Sequence, residues 1–160
     1  VINADYADAH YNLGLILRDL GKLKEAELSY RKAIEINPDF ADAHSNLGVL
    51  LNDLGKLQDA KISLLKAIEL KPHFANAHYN LGNLLKELGK LQEAEASTRK
   101  SIEIKPDFAI GHYLLSLIYS QEKSFSKAYK EINLAIEYDS KNHIYQGELT
   151  RLKFIMGKFD

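Results

Sequence analysis

A 34-residue segment recurs three times in register along this 160-residue chain, and that period limits the fold more than any other feature. ADAHYNLGLILRDLGKLKEAELSYRKAIEINPDF occupies Ala7–Phe40, ADAHSNLGVLLNDLGKLQDAKISLLKAIELKPHF occupies Ala41–Phe74, and ANAHYNLGNLLKELGKLQEAEASTRKSIEIKPDF occupies Ala75–Phe108. Gly14, Gly48 and Gly82 keep the spacing, as do Pro38, Pro72 and Pro106. A fixed period in this range, helical throughout, predicts a stacked array and excludes a globule built around one central core.

Each repeat reads as two helices. In the first, helix A is expected over Ala7–Leu20 and helix B over Leu23–Ile36, with a turn at Gly21-Lys22. Ala9, Leu13, Ile16 and Leu20 recur at spacings of three and four, which places them on one apolar face. Gly21, Gly55 and Gly89 follow helix A and fit a left-handed C-terminal cap. Each Pro is expected to end helix B and open the next helix A. Gly14 and Ala26 are expected to face each other and bring the two axes close, and Ala33 to make room for the next repeat.

The unit resembles the tetratricopeptide repeat (TPR). The first repeat supplies His10, Leu13, Gly14, Leu17, Ala26, Tyr30, Ala33 and Pro38 at the family's positions 4, 7, 8, 11, 20, 24, 27 and 32. The second matches with His44, Leu47, Gly48, Leu51, Ala60, Leu64, Ala67 and Pro72; the third departs only at Thr98 and Ser101. The repeats are also similar to those of long cyanobacterial-type TPR proteins and of the array in O-linked N-acetylglucosamine transferases. The resemblance implies an all-α fold, a right-handed α-solenoid of antiparallel helix pairs.

The remaining segments take their place in this frame. Residues 1–6 read as the tail of a preceding repeat, so at least one repeat is expected upstream. Residues 109–142 form a divergent fourth repeat, with Ser116, Lys123 and Ser140 replacing Gly, Gly and Pro; altered geometry is expected at those points. Residues 143–160 read as a capping helix, with a truncated repeat as the competing account. There Tyr145, Leu149, Leu152 and Met156 keep the backward face, Gln146, Thr150 and Lys153 turn polar, and Phe154, Ile155 and Phe159 are left for self-association.

The resemblance also implies a function: a groove lined by helices A that holds a peptide or a partner protein. By family register, position 6 points inward and carries Asn12, Asn46 and Asn80, then Leu114. A carboxamide offers a donor and an acceptor, so such a column suits an extended backbone. The glycosyltransferase array resembled here has an asparagine ladder of this kind; hydrated consensus residues are the plainer account. Tyr11, Tyr79 and Tyr113 hold position 5 and suit an interface, or equally a half-buried role. Asp8 and Asp42 stand at position 2, Asn83 at position 9, and Arg18 and Lys86 at position 12. The acidic pair favours basic or neutral peptides, although a carboxylate in a helix first turn is favourable without a ligand. Tyr113, Leu114 and Leu117 make the fourth repeat more apolar, so a hydrophobic ligand side chain is expected to anchor there. The cations of chaperone-tail receptors are missing.

Other functions find little support. The net charge of −1 and the mixed signs argue against a nucleic-acid footprint or an anionic-membrane surface. There is no cysteine and no run long enough to span a membrane. His10, His44, His78 and His112 recur once per repeat, too far apart to share a metal, and read as packing between helices A and B. No metal, cofactor or catalytic motif is expected. The reading is therefore a non-enzymatic, cytoplasmic protein–protein interaction module. The alternatives are the substrate-recruiting array of a larger enzyme, or a scaffold that self-associates through its ends.

Overall fold

The computed structural model describes residues 4–157, with side chains from Tyr6 onward. Among them it contains only helices, paired in sequence: α1 (Ala4–Asp19) with α2 (Leu23–Ile36), α3 (Ala41–Asp53) with α4 (Leu57–Leu70), α5 (Ala75–Glu87) with α6 (Leu91–Ile104), and α7 (Ala109–Gln121) with α8 (Phe125–Tyr138), followed by α9 (His143–Ile155). The expected helix boundaries hold to within one residue, except that α1 starts at Ala4. Of the expected preceding tail, Ala4–Tyr6 is thus helical; residues 1–3, like Phe159 at the other end, lie outside the described residues. The chain divides into two compact units between Asn80 and Leu81.

Helix A ends the same way in every repeat. The Gly21 N–H donates to the Arg18 carbonyl at 2.9 Å and the Lys22 N–H to the Leu17 carbonyl at 2.8 Å, the paired bonds of a Schellman cap. Gly21 supports it with φ +72°, as do Gly55 and Gly89. The fourth repeat does not show the altered geometry expected at this point. Lys123 itself takes φ +60°, and Lys123 and Ser124 donate to the Ser120 and Tyr119 carbonyls at 3.1 and 2.8 Å. The cap's two hydrogen bonds hold a conformation that a side chain disfavours.

The prolines act otherwise than the sequence suggests. Helix α2 stops at Ile36, Asn37 is extended, and α3 begins only at Ala41, so Pro38 lies in the linking turn and not in a first helical turn. A residue preceding proline is forced away from helical angles, which ends helix B before the proline is reached. The Pro38 carbonyl then serves the next helix: it contacts His44 Nε2 at 2.9 Å, and Pro72 and Pro106 contact His78 and His112 at 3.0 Å each. These position-4 histidines therefore fasten the preceding turn, a role beyond the helix packing expected of them.

In the first unit the core comprises Ala26, Tyr30 and Ala33 of α2, Ala43, Leu47, Leu50 and Leu51 of α3, and Ala60, Leu64 and Ala67 of α4, all buried. The helix-A glycines do not chiefly face the position-20 alanines, as expected. A Cβ on Gly14 would lie 2.5 Å from the Tyr30 ring, and one on Gly48 would lie 2.6 Å from Leu64 Cγ and 3.2 Å from the Ala60 carbonyl oxygen. The larger side chain at position 24 fills the space that the glycine leaves. The apolar face predicted for α1 is also the exposed one: Leu13, Ile16 and Leu20 are 45, 57 and 66% exposed, whereas their counterparts Leu47 and Leu50 in α3 are buried.

The second unit has its own cluster, formed by Leu115, Tyr119, Ala128, Ile132, Ala135, Tyr145 and Leu152. Tyr119 anchors it in a polar knot: its hydroxyl donates to Glu95 Oε1 at 2.7 Å and lies against Arg99. Burial, then the Glu95 bond, pushes the Tyr119 phenol up to about 12. Tyr145 and Leu152 of α9 are buried while Gln146 and Thr150 are exposed; Asn142 caps this helix, accepting from the Ile144 N–H at 3.1 Å. Phe154 and Ile155 are exposed.

Candidate functional site

The first unit brings four of the candidate groove residues together. Asn46 Nδ2 donates to the Tyr11 hydroxyl at 2.7 Å, and Arg18 Nη1 donates to Asn46 Oδ1 at 3.4 Å. Tyr11 packs its ring against Phe40 at 4.9 Å and Tyr30 at 6.0 Å between centroids. Burial raises the Tyr11 pKa, and the nearby Asp42 carboxylate adds to the rise; the phenol therefore stays protonated and able to donate. Asp42 also lies 4.0 Å from Lys71. The cluster forms because α1 and α3 place position 5 of one repeat beside position 6 of the next. The same register recurs where Asn80 Nδ2 donates to the buried Ser45 hydroxyl at 3.3 Å.

These bonds leave capacity in hand. Asn46 spends one of two N–H donors and one acceptor position on its neighbours. The half-buried carboxamide thus keeps an N–H and a lone pair, the complement of one peptide unit. Asn12 and Asp8 are exposed on α1. Tyr79 is half-buried on α5.

In the second unit the candidates are not gathered into one cluster. Asn83 donates to Glu87 at 2.8 Å on the surface of α5, and Lys86 is half-buried in the last turn of that helix. Tyr113 stacks at 5.0 Å on Tyr145. Of the three residues expected to anchor a hydrophobic ligand side chain, Leu114 is only 2% exposed and is not presented, whereas Tyr113 and Leu117 are half-buried. An apolar residue at position 6 turns into the packing, whereas a carboxamide stays at the rim with its polar atoms solvated or bonded.

Two features escaped the sequence reading. Extending the position-6 column by one more period lands on Glu148, which is buried, accepts from Ser120 Oγ at 3.2 Å, and is gripped by Arg151 at 2.6 and 2.7 Å. Counting on by 34 residues past Leu114 finds it. The second is on helices B in the first unit, where Leu28 and Ile62 are 69 and 66% exposed on helices otherwise rich in Lys and Glu. The charge-rich composition of those helices hid them. Among the described residues no group of three metal-ligating side chains gathers, and no helix is long and apolar enough to cross a membrane.

Comparison with known proteins agrees with this architecture. Models described as "TPR repeat" match residues 14–55 and 50–89, and models described as "Tetratricopeptide repeat" match residues 75–108 and 110–142. No curated protein matches significantly in sequence. Among solved structures, PilF of Pseudomonas aeruginosa superposes with a TM-score of 0.90 at 24% identity, covering 96% of this chain and 70% of that one. MamA from Desulfovibrio magneticus RS-1 gives 0.81 at 21% identity, covering 96 and 87%. TTC0263, a TPR protein of Thermus thermophilus, gives 0.82 at 19% identity, covering 95 and 84%. At these identities the likeness establishes the fold: an all-α solenoid of helix pairs.

Proposed function

Because the chain belongs to the tetratricopeptide repeat family, we propose that it is a non-catalytic protein–protein interaction module that holds an extended polypeptide segment along its helix-A face. The observation that carries this reading is the Tyr11–Asn46–Arg18 cluster, whose carboxamide is oriented by two neighbours and still has a donor and an acceptor to offer. Side chains held in place before a ligand arrives lose less entropy on binding. Contacts of this type address peptide backbone, so they favour an extended segment over a folded surface. Asp8 and Asp42 add negative charge, which favours a segment that is neutral or basic. Within the first unit Asn12 on α1 and Tyr79 and Asn80 on α5 join the proposed contact set; in the second, Asn83 and Lys86 on α5 and Tyr113 on α7 are proposed contacts of that unit.

The test is capture of partners from lysate by wild type, by the triple variant Asn12→Ala, Asn46→Ala, Asn80→Ala, and by Tyr11→Phe. Tyr11→Phe keeps every carboxamide but removes one of the two bonds that orient Asn46, so it is expected to retain partners more weakly than wild type and more strongly than the triple variant. Polypeptides retained by wild type and Tyr11→Phe but lost from the triple variant support the proposal. Equal retention by all three refutes it.

A further inference from the structure

His112 is held differently from its counterparts His44 and His78. Its Nε2 faces the Pro106 carbonyl at 3.0 Å, as theirs face Pro38 and Pro72, but its Nδ1 also faces Glu131 Oε2 at 2.8 Å. The side chains of His112 and Glu131 are only 7 and 13% exposed. The position that Glu131 holds is serine in the other three repeats, at Ser29, Ser63 and Ser97, so the carboxylate is particular to the fourth. Arg99 and Glu103 of α6 and Lys130 of α8 border the same surface cleft, and the Tyr138 ring lies 5.5 Å from the imidazole. Arg99 and Glu103 are themselves paired, with Glu95 at 2.8 Å and Lys100 at 2.7 Å.

Both imidazole nitrogens thus meet acceptors. A neutral imidazole has one N–H, so it satisfies one of them and turns a lone pair on the other. The arrangement is complete only with one further proton, carried by the ring. We propose that His112 and Glu131 form a pH-dependent clasp, closed in the imidazolium form, that ties the α6–α7 turn and α7 to α8 and loosens when the ring loses its proton. Burial opposes the charged ring, but the Glu131 bond, the Pro106 carbonyl and the Glu131 charge together outweigh it and raise the His112 pKa above the ordinary 6.5. A group with a raised folded pKa stabilises fully below its unfolded value and stops doing so as pH rises through the folded value. The clasp is therefore closed on the acid side and opens on the alkaline side.

The experiment is an NMR titration of the His112 ring in the full chain, with ring 15N shifts to read which atoms carry protons, alongside melting curves over the same range. The expected result is a midpoint above 6.5, two protonated ring nitrogens below it, and a melting temperature that falls as the ring deprotonates. In Glu131→Gln the midpoint shifts down and the fall in melting temperature shrinks. A wild-type midpoint at or below 6.5, a ring with one protonated nitrogen throughout, or a midpoint unmoved by Glu131→Gln overturns the proposal. If Glu131→Gln does not fold, the wild-type midpoint and 15N shifts decide alone.

Discussion

Adding one methyl group at Gly48 tests the packing account at its tightest point. The new Cβ would stand 2.6 Å from Leu64 Cγ, 2.9 Å from Leu64 Cδ2 and 3.2 Å from the Ala60 carbonyl oxygen. Carbon atoms prefer separations of about 3.5–4.0 Å, so the overlap is close to 1 Å. Leu64 is fully buried, and Cγ is the branch point of its side chain, so relief requires a change of χ1 into space already filled. Gly48→Ala gains about 0.5–1 kcal/mol from helix propensity. Overpacking of this kind costs about 1–3 kcal/mol. The difference spans about 0–2.5 kcal/mol, and the expected outcome is a net loss near its middle, about 1 kcal/mol, read by urea denaturation. The double variant supplies the decisive arm. Leu64→Ala alone should cost about 2–5 kcal/mol, but in Leu64→Ala the methyl at position 48 has room, and Gly48→Ala should become neutral or stabilising there. The coupling between the two sites should thus be at least about 0.5–1 kcal/mol. If Gly48→Ala matches wild type in stability, or if its effect is the same with and without Leu64, the close approach of glycine to position 24 is not what sets the helix spacing.

Two further changes probe other elements. Lys123→Gly should stabilise by about 0.5–1 kcal/mol, because a non-glycine residue at positive φ costs about 1–2 kcal/mol and the added freedom of glycine in the unfolded chain returns part of it; a denaturation midpoint equal to or below wild type contradicts this. Glu27 is buried between Lys56 at 2.8 Å and Arg31 at 2.9 Å, and the Lys56 bond holds its carboxyl below the ordinary 4.5. Its contribution is present above that value and disappears as pH falls through the folded pKa, so Glu27→Gln should flatten the acid limb of the stability–pH curve; an unchanged limb would assign acid sensitivity elsewhere.

The period and the proline and glycine markers made the helices legible, because they are properties of one repeat and three copies state them in register. Relations between repeats were harder to read. Tyr11 and Asn46 lie 35 residues apart, and nothing in either residue announces the other until two helices A are set side by side. Leu114 shows the same limit: its register position marks it as facing inward, but whether a side chain lines a surface or packs beneath one depends on its chemistry and its neighbours. Lys123 misled for another reason. Its side chain disfavours the left-handed angle, yet the cap's backbone bonds, formed by any residue type, decide the conformation.

The bonds from Asn46 and Asn80 to the preceding repeat bear on how such a chain tolerates lengthening. Asn46 finds its acceptor on Tyr11 and Asn80 on Ser45. The second repeat thus carries both a hydroxyl that accepts from its successor and a carboxamide that donates to its predecessor; the fourth, with buried Leu114 at the carboxamide position, lacks the second. Duplicating the whole 34-residue second repeat adds one of each, leaving no stranded amide, whereas an insertion of any other length breaks the match at once. Growth by unequal exchange between identical stretches of coding sequence would meet no polar penalty at this interface, and a designer could extend the array by the same rule.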